Sequence, residues 1–261
     1  MDEKNPLIRL KEIAAILRSE NGCPWDKEQN FNSLKPYLIE EAYEVIDSID
    51  SGNIDDFKEE LGDLLYQIYA HSQIASEQSL FTVEDVAQGI VEKLIRRHPH
   101  VFGEESFNNS KEVKDRWEAI KKTEKSKKRS VLEGIPRNLP ALTMAYRVQE
   151  KVSHVGFDWE KIDDAITKLE EELLEFKDAA SSKNKEALKE EAGDILFSIV
   201  NVLRFQGIDP EDALRQSVNK FMRRFSYIEN KSHEENKTLS EMSLQEMDRL
   251  WEESKNISDE K

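Results

Sequence analysis

The stretch KLEEELLEFKDAASSKNKEALKEEAGD, which runs from Lys168 to Asp194, decides the fold of this protein. Its apolar residues continue a stripe that begins at Ile162 and advances in alternating steps of four and three residues. This spacing puts the apolar side chains on one face of an α-helix, whereas a strand would alternate every second residue. A second stripe with the same spacing runs from Leu188 to Val202. The stretch therefore predicts two amphipathic helices whose short connection makes them run antiparallel.

Acidic side chains lie at the edge of both stripes. Glu172 and Glu175 each come one residue before a stripe position, and the second helix repeats this with Glu191 and Asp194. Residues three apart on a helix are neighbours, so each helix offers one pair of carboxylates. If the helices pack through their apolar faces, the pairs converge, and two like charges about 4 Å apart cost about 4 kcal/mol at an effective dielectric of about 20. Protonation or a divalent cation must offset this repulsion, and all-oxygen ligands favour Mg²⁺, Mn²⁺ or Ca²⁺ over zinc or copper.

The acidic pattern occurs twice in the chain. EEAYE at Glu40–Glu44 matches EELLE at Glu171–Glu175, and the offset is 131 residues. EELGD at Glu59–Asp63 matches EEAGD at Glu190–Asp194 with the same offset. The first copy therefore offers a second candidate metal site, made of Glu41, Glu44, Glu60 and Asp63.

The repeat also sets the predicted domain organisation. A tryptophan beside an aspartate precedes each acidic set, and a basic KLIRR or KFMRR segment follows it. We predict two homologous helical domains over residues 1–120 and 140–261, joined by a basic, proline-containing linker over residues 121–139. The basic run Lys121–Arg129 is interpreted as a solvated part of that linker, and contact with a partner or a nucleic acid is the alternative.

The composition excludes several classes of protein. With 54 acidic and 38 basic residues, the net charge of −16 weighs against broad contact with nucleic-acid phosphates. Nine glycines and seven prolines are few for a β-sandwich or a barrel, which need many turn residues. The single cysteine, Cys23, excludes an internal disulfide. Since no apolar stretch reaches the length of about 18 residues that spans a membrane, we expect a soluble cytoplasmic protein.

Basic and aromatic residues near the end of the chain are candidates for substrate contact. Lys220 and Arg224 lie four apart on one helical face, where they are placed to meet the outer phosphates of a substrate. A solvated basic face is the alternative interpretation. Trp251 either stacks on a base or anchors the last helix. Lys168 lies one turn before Glu172 and is also placed to reach phosphate.

Taken together, these features resemble the MazG family of nucleoside triphosphate pyrophosphohydrolases. The resemblance covers almost the whole chain, including the duplication. It implies an all-α fold with a four-helix-bundle core and assembly as a homodimer. Besides the two acidic sets, it rests on GCPWD (Gly22–Asp26), RRHPHVFG (Arg96–Gly103), VGFDW (Val155–Trp159) and KFMRRF (Lys220–Phe225).

The resemblance also implies an activity and a site. The activity is Mg²⁺-dependent hydrolysis of NTP or dNTP to the monophosphate and pyrophosphate, with Mn²⁺ as the second candidate cofactor and the second half as the working catalytic domain. The implied metal ligands are Glu172, Glu175, Glu191 and Asp194, and the catalytic set adds Glu171. The implied nucleotide-contacting residues are Lys168, Glu171, Glu172, Lys189, Asp194, Lys220, Arg223, Arg224 and Trp251. The general base is expected to be Glu171 or Glu175.

Two other classes of protein remain open at this point. A nucleotide sensor would bind NTP without hydrolysing it. An acidic helical interaction module would bind neither metal nor nucleotide. The sequence leaves the preferred base and sugar open, and it leaves open whether the first half is active.

Overall fold

The computed structural model describes residues 5–107, 109, 112–113, 116–117, 120, 130–182 and 184–258. Every regular element among them is a helix, so the predicted all-α class is confirmed. The chain forms two compact units, residues 1–126 and 127–261, called here the first and second units. The run Lys121–Arg129 lies outside the described residues, and the domain limits 1–120 and 140–261 stay predictions.

The first unit is built around one long helix. Its helices are α1 (Pro6–Leu17), α2 (Pro24–Glu28), α3 (Lys35–Ser51), α4 (Ile54–Glu77), α5 (Val83–Arg97) and α6 (Pro99–Phe102). Helix α4 packs against α1, α3 and α5. Gly52 ends α3 in the left-handed region at φ +70°, and Asn53 then caps α4 through its side chain. The spacing Thr82-x-x-Asp85 predicts a capping box, and this box is present at the start of α5.

The second unit has a helical hairpin at its centre. Its helices are α7 (Ala141–Ser153), α8 (Ile162–Ser182), α9 (Lys185–Phe205), α10 (Pro210–Glu234) and α11 (Leu244–Ser258), with a 3₁₀ turn at Leu239–Glu241. Helices α8 and α9 pack on each other, α7 contacts α9 and α10, and α11 packs on α10. Asn184 caps α9. Asp209 followed by Pro210 predicts a helix start, because aspartate caps helices and proline favours the first turn, and α10 begins there.

One residue of the predicted apolar stripe on α8 is less buried than expected. The apolar stripe predicts that Leu173 is buried and that Glu172 lies at its edge. Instead, Leu173 is 42% exposed and Glu172 only 6% exposed, so the expected burial of Leu173 is wrong. Ala165, two turns earlier on the same face as Glu172, is 1% exposed. The inward face of this helix therefore carries a carboxylate.

Apolar side chains also remain uncovered on α10. Leu214, Val218 and Phe221 are each about half exposed within the second unit.

Among the described helices, none has both the length and the apolar character needed to cross a bilayer.

Candidate functional site

Three carboxylates converge where α8 packs against α9. Glu172 and Glu175 from α8 and Glu191 from α9 each place an oxygen within 4.8 Å of the other two. Glu172 is buried, Glu191 is half-buried and Glu175 is exposed, so the set extends from the interior of the unit to its surface. Two of its members share one helical face because they are three residues apart. These three residues are called here the second-unit acid cluster.

A lysine holds one edge of this cluster. The Nζ atom of Lys168 lies 2.8 Å from Glu172 Oε1 and 3.1 Å from Glu171 Oε1. These hydrogen bonds raise the pKa of Lys168 above its usual range, so the side chain stays charged. Glu171 is thus ion-paired and more than half exposed, next to the cluster. One positive charge therefore offsets part of the negative charge of this site.

The remaining negative charge is unfavourable. Loss of hydration has the largest effect and raises the pKa of Glu175. Repulsion from Glu172 and Glu171 also raises this pKa, and the positive charge of Lys168 opposes part of the rise. Loss of hydration is also the largest cause that raises the pKa of Glu191, and repulsion from Glu175 and other acids adds to it. All the donors are carboxylate oxygens, which are the ligands of hard divalent cations. The cluster therefore fits such a cation in both charge and chemistry.

Asp194, the fourth predicted ligand, lies beside the cluster. Its charge repels Glu191 and helps to raise the pKa of that residue. Among the described residues, however, the set of oxygens within 4.8 Å contains Glu172, Glu175 and Glu191. Asp194 instead lines the cavity that opens next to them.

This cavity has a volume of about 460 Å³, within the range of small-molecule sites. Lys168, Glu172 and Asp194 form its charged side. The rest of its lining comes mostly from α7, α9 and the segment before α8, and includes Gln149, Phe157, Asp158, Trp159, Asn201 and Arg204. The sequence did not point to Gln149, Asn201 or Arg204, because these residues lie outside the repeated acidic and basic motifs. Four residues of the motif VGFDW line the cavity, but the sequence had marked this motif only as part of the family resemblance.

The predicted nucleotide-contacting residues of α10 and α11 form a separate group. The Arg224 guanidinium lies 5.7 Å from the centre of the Trp251 ring, and Phe221 lies 5.1 Å from it. Trp251 also packs on the buried cluster around Ile228, so it anchors α11 on α10. Neither Arg224 nor Trp251 lines the cavity. The other basic candidates are exposed, with Lys189 on α9 and both Lys220 and Arg223 on α10.

The first unit has an acid cluster of its own. Oxygens of Glu41, Glu60 and Asp63 lie within 4.8 Å of one another, and we call these residues the first-unit acid cluster. The buried Gln67 donates from Nε2 to Glu41 Oε1 at 3.3 Å. Loss of hydration raises the pKa of Glu41, partly opposed by that hydrogen bond. Loss of hydration and repulsion by Glu44, the fourth predicted acid, raise the pKa of Glu60.

Comparison with known proteins agrees with the duplication. The MazG nucleotide pyrophosphohydrolase domain matches this chain twice, over residues 29–102 and 161–228. The nucleoside triphosphate pyrophosphohydrolase/pyrophosphatase MazG of Thermotoga maritima is 48% identical over 252 residues, which cover 95% of this chain and 96% of that protein. The nucleoside triphosphate pyrophosphohydrolase of Escherichia coli strain K12 is 41% identical over 256 residues, covering 96% and 97% of the two chains.

A solved structure is also similar to part of the chain. The crystal structure of a mazG-related protein from Thermotoga maritima is 30% identical, with a TM-score of 0.39. It covers 44% of this chain and 98% of its own. Because the domain matches both halves and relatives align over nearly the full length, this chain belongs to the MazG nucleotide pyrophosphohydrolase family.

Proposed function

We propose that the second unit carries out Mg²⁺-dependent hydrolysis of NTP and dNTP to the monophosphate and pyrophosphate. The family and the names of the full-length relatives support nucleoside triphosphate pyrophosphohydrolase activity. The observation that carries the proposal is the second-unit acid cluster, in which a buried Glu172 meets Glu175 and Glu191 within 4.8 Å. A cavity of about 460 Å³ opens directly beside it.

The cation is assigned to Glu172, Glu175 and Glu191, with Asp194 as the fourth predicted ligand. Mg²⁺ fits best because it binds a few carboxylates together with substrate phosphates, and Mn²⁺ is the second candidate. When bound, the cation supplies Lewis-acid chemistry that activates water and stabilises negative charge on the departing pyrophosphate.

The other charged residues position the substrate and move a proton. Lys168 is already held against Glu172 and is placed to meet a phosphate oxygen. Glu171 or Glu175 accepts the proton of the attacking water, and Glu171 has the advantage that it lies outside the set assigned to the cation. Lys220 and Arg224 are assigned to the outer phosphates, as the family resemblance implies.

A homodimer completes the proposal. The half-exposed Leu214, Val218 and Phe221 on α10 support it, since a row of uncovered apolar residues on one helix is typical of a contact surface. Light scattering on the purified chain tests this assembly. A mass of twice 30.3 kDa is expected, and a monomer over the micromolar range would contradict it.

The activity is tested by product analysis. The full chain is incubated separately with each of the eight standard NTPs and dNTPs, in Mg²⁺ or in EDTA, and the products are separated by ion-exchange chromatography. Monophosphate and pyrophosphate in equal amounts, formed only with Mg²⁺, are the expected result. Binding without turnover would identify a nucleotide sensor, and no response to metal or nucleotide would identify an interaction module. Release of diphosphate and inorganic phosphate would contradict the proposed reaction.

A further inference from the structure

We propose that Arg204 is a positioning residue, which holds the segment between α7 and α8 (residues 154–161) against the end of α9 and thereby retains the substrate beside the second-unit acid cluster. This inference rests on the proposed function, since the substrate is the nucleoside triphosphate assigned to that site. It also gives a role to the aspartate beside a tryptophan that precedes each acidic set, which the acid clusters leave unexplained.

The α7–α8 segment forms part of the cavity lining. Residues 156–159 line the cavity together with the buried Glu172, and none of these four residues belongs to a helix. Gly156 lies in the left-handed region at φ +86°, and the Phe157 amide donates to the Val152 carbonyl at 3.1 Å. These features tie the start of the segment to α7. The position of its remaining residues depends on contacts with other elements.

Arg204 supplies such a contact from the last turn of α9. Its guanidinium forms an ion pair with Asp158, and only 12% of the arginine side chain and 27% of the aspartate side chain are exposed. Solvent therefore screens this pair less than a pair on the open surface. The same Oδ1 atom of Asp158 accepts from the Trp159 amide at 3.0 Å. Among the described residues, no other hydrogen bond or ion pair joins residues 158–161 to α9.

The guanidinium of Arg204 is fixed by residues of its own helix. Asn201 Oδ1 accepts from Arg204 Nε at 3.2 Å and from Arg204 Nη2 at 2.8 Å. The guanidinium carbon lies 4.9 Å from the centre of the Phe205 ring. A side chain held in this way loses little further freedom when it pairs with Asp158. Arg204 is therefore preorganised to hold the α7–α8 segment.

The first unit holds its corresponding aspartate with different side chains. Asp26 follows Trp25 ahead of the first acidic set. Tyr66 on α4 donates from its hydroxyl to Asp26 Oδ1 at 3.3 Å, and Arg18 donates to the Asp26 carbonyl oxygen. The repeat offset of 131 residues places Phe197 where the first unit has Tyr66, so the second unit lacks that hydroxyl. What the two units share is therefore a held aspartate, and not one particular contact.

The position of Arg204 determines which kinetic constant it should affect. It lies nearly three turns beyond Asp194 on α9 and belongs to neither acidic pair. A held segment contacts the substrate equally before and during the reaction. Loss of the ion pair should therefore raise KM and leave kcat nearly unchanged, because it removes binding that the ground state and the transition state share.

Steady-state kinetics of pyrophosphate release test this in Arg204→Met, in Asp158→Asn and in the double variant. Each single variant should raise KM about tenfold and change kcat less than about twofold, and the double variant should match them because one pair is lost in all three. Arg204→Lys should recover most of the affinity, since the charge remains. The matched control is Arg147→Met, with unchanged KM, because Arg147 pairs with Glu150 at 2.7 Å on the exposed side of α7 and does not line the cavity.

Limited digestion with chymotrypsin measures how firmly the segment is held without metal, nucleotide or turnover. This protease cleaves after aromatic residues, and Phe157 is 78% exposed. In EDTA, cleavage after Phe157 or Trp159, followed by mass spectrometry, should be about tenfold faster in Arg204→Met and Asp158→Asn than in the wild type, because opening of the segment limits cleavage. Arg147→Met should be cleaved at the wild-type rate.

Several outcomes would overturn the inference. An unchanged KM in Arg204→Met, or wild-type cleavage rates in both single variants, would show that the ion pair does not hold the segment. A KM raised in Arg204→Met but unchanged in Asp158→Asn would show that Arg204 meets the substrate directly. If Arg204→Met is unfolded by circular dichroism, Asp158→Asn decides by the same two measurements. A wild type that releases no pyrophosphate would refute the proposed hydrolysis, and the cleavage rates would still decide whether Arg204 holds the segment.

Discussion

The two acid clusters of this chain are built from matching motifs but have different neighbours. In the second unit a lysine, Lys168, lies 2.8 Å from the buried Glu172. In the first unit the matching glutamate, Glu41, meets the neutral amide of Gln67 at 3.3 Å. The repeat offset of 131 residues places Tyr37, which carries no charge, where the second unit has Lys168.

This difference indicates that the second-unit acid cluster is equipped to bind a substrate, whereas the first-unit acid cluster only brings acidic residues together. Both clusters hold carboxyls whose pKa is raised, so both fit a cation. The second-unit cluster also has the positively charged Lys168 beside it, which is placed to meet a phosphate oxygen. It borders a cavity of about 460 Å³. We therefore expect the second unit to carry the activity, and matched substitutions in the two units test that expectation.

The largest expected effect comes from neutralising the buried glutamate. Glu172→Gln should lower pyrophosphate release at least about 100-fold, because it removes a ligand from the centre of the cluster. The matched Glu41→Gln should change turnover less than about twofold, since turnover is assigned to the second unit. A coupled pyrophosphate assay at saturating Mg²⁺ measures both. Equal losses in the two variants would show that both clusters contribute to turnover.

The next effect comes from the lysine. Lys168→Met should raise KM for NTP about 10- to 100-fold, because a charge-assisted hydrogen bond to phosphate contributes about 1.5–3 kcal/mol. Tyr37→Phe, at the matching position of the first unit, should leave KM unchanged. Steady-state kinetics with one preferred NTP compare the two variants. An unchanged KM in Lys168→Met would limit this residue to neutralising Glu172.

A smaller effect is expected from the arginines that stack on tryptophan. Arg224 lies 5.7 Å from the Trp251 ring, and Arg97 of the first unit lies 5.8 Å from the Trp117 ring. Arg224→Ala should raise the Kd for NTP about tenfold if Arg224 also meets phosphate. Arg97→Ala should lower only the thermal unfolding midpoint, since a cation–π contact contributes about 0.5–1 kcal/mol. If Arg224→Ala changes thermal stability alone, the two pairs have the same structural role.

The smallest effect concerns stability and pH in the absence of metal. The pKa of Glu191 is raised in the folded chain, so its contribution to stability is present below the ordinary value of 4.5 and is lost as pH rises through the raised value. In EDTA, Glu191→Gln should therefore unfold at a slightly higher temperature than the wild type at pH 8, and this advantage should vanish near pH 4. Glu60→Gln should behave similarly, because the pKa of Glu60 is also raised. Thermal unfolding followed by circular dichroism across this pH range measures the difference. A variant less stable than the wild type at pH 8 would contradict the proposed repulsion.

Local rules were sufficient to predict helix starts from the sequence, but not which of two adjacent side chains on a helix is buried. The caps at Thr82 and Asp209 follow from side-chain chemistry within one turn, so neighbouring residues suffice to predict them. Whether Glu172 or Leu173 faces inward depends on what packs against α8, and the stripe alone predicted the wrong residue. The amide of Gln149 reaches the site only because α7 packs on α9, so no motif could reveal it.

Binding of a divalent cation by the second-unit acid cluster can be measured with Mn²⁺ in place of Mg²⁺. Mn²⁺ is titrated into the wild type and into the double variants Glu172→Gln/Glu191→Gln and Glu41→Gln/Glu60→Gln, and free Mn²⁺ is followed by electron paramagnetic resonance. We expect the second-unit double variant to lose a class of bound Mn²⁺ and, in parallel assays, pyrophosphate release, while the first-unit double variant retains turnover. Unchanged Mn²⁺ binding and turnover in Glu172→Gln/Glu191→Gln would contradict it.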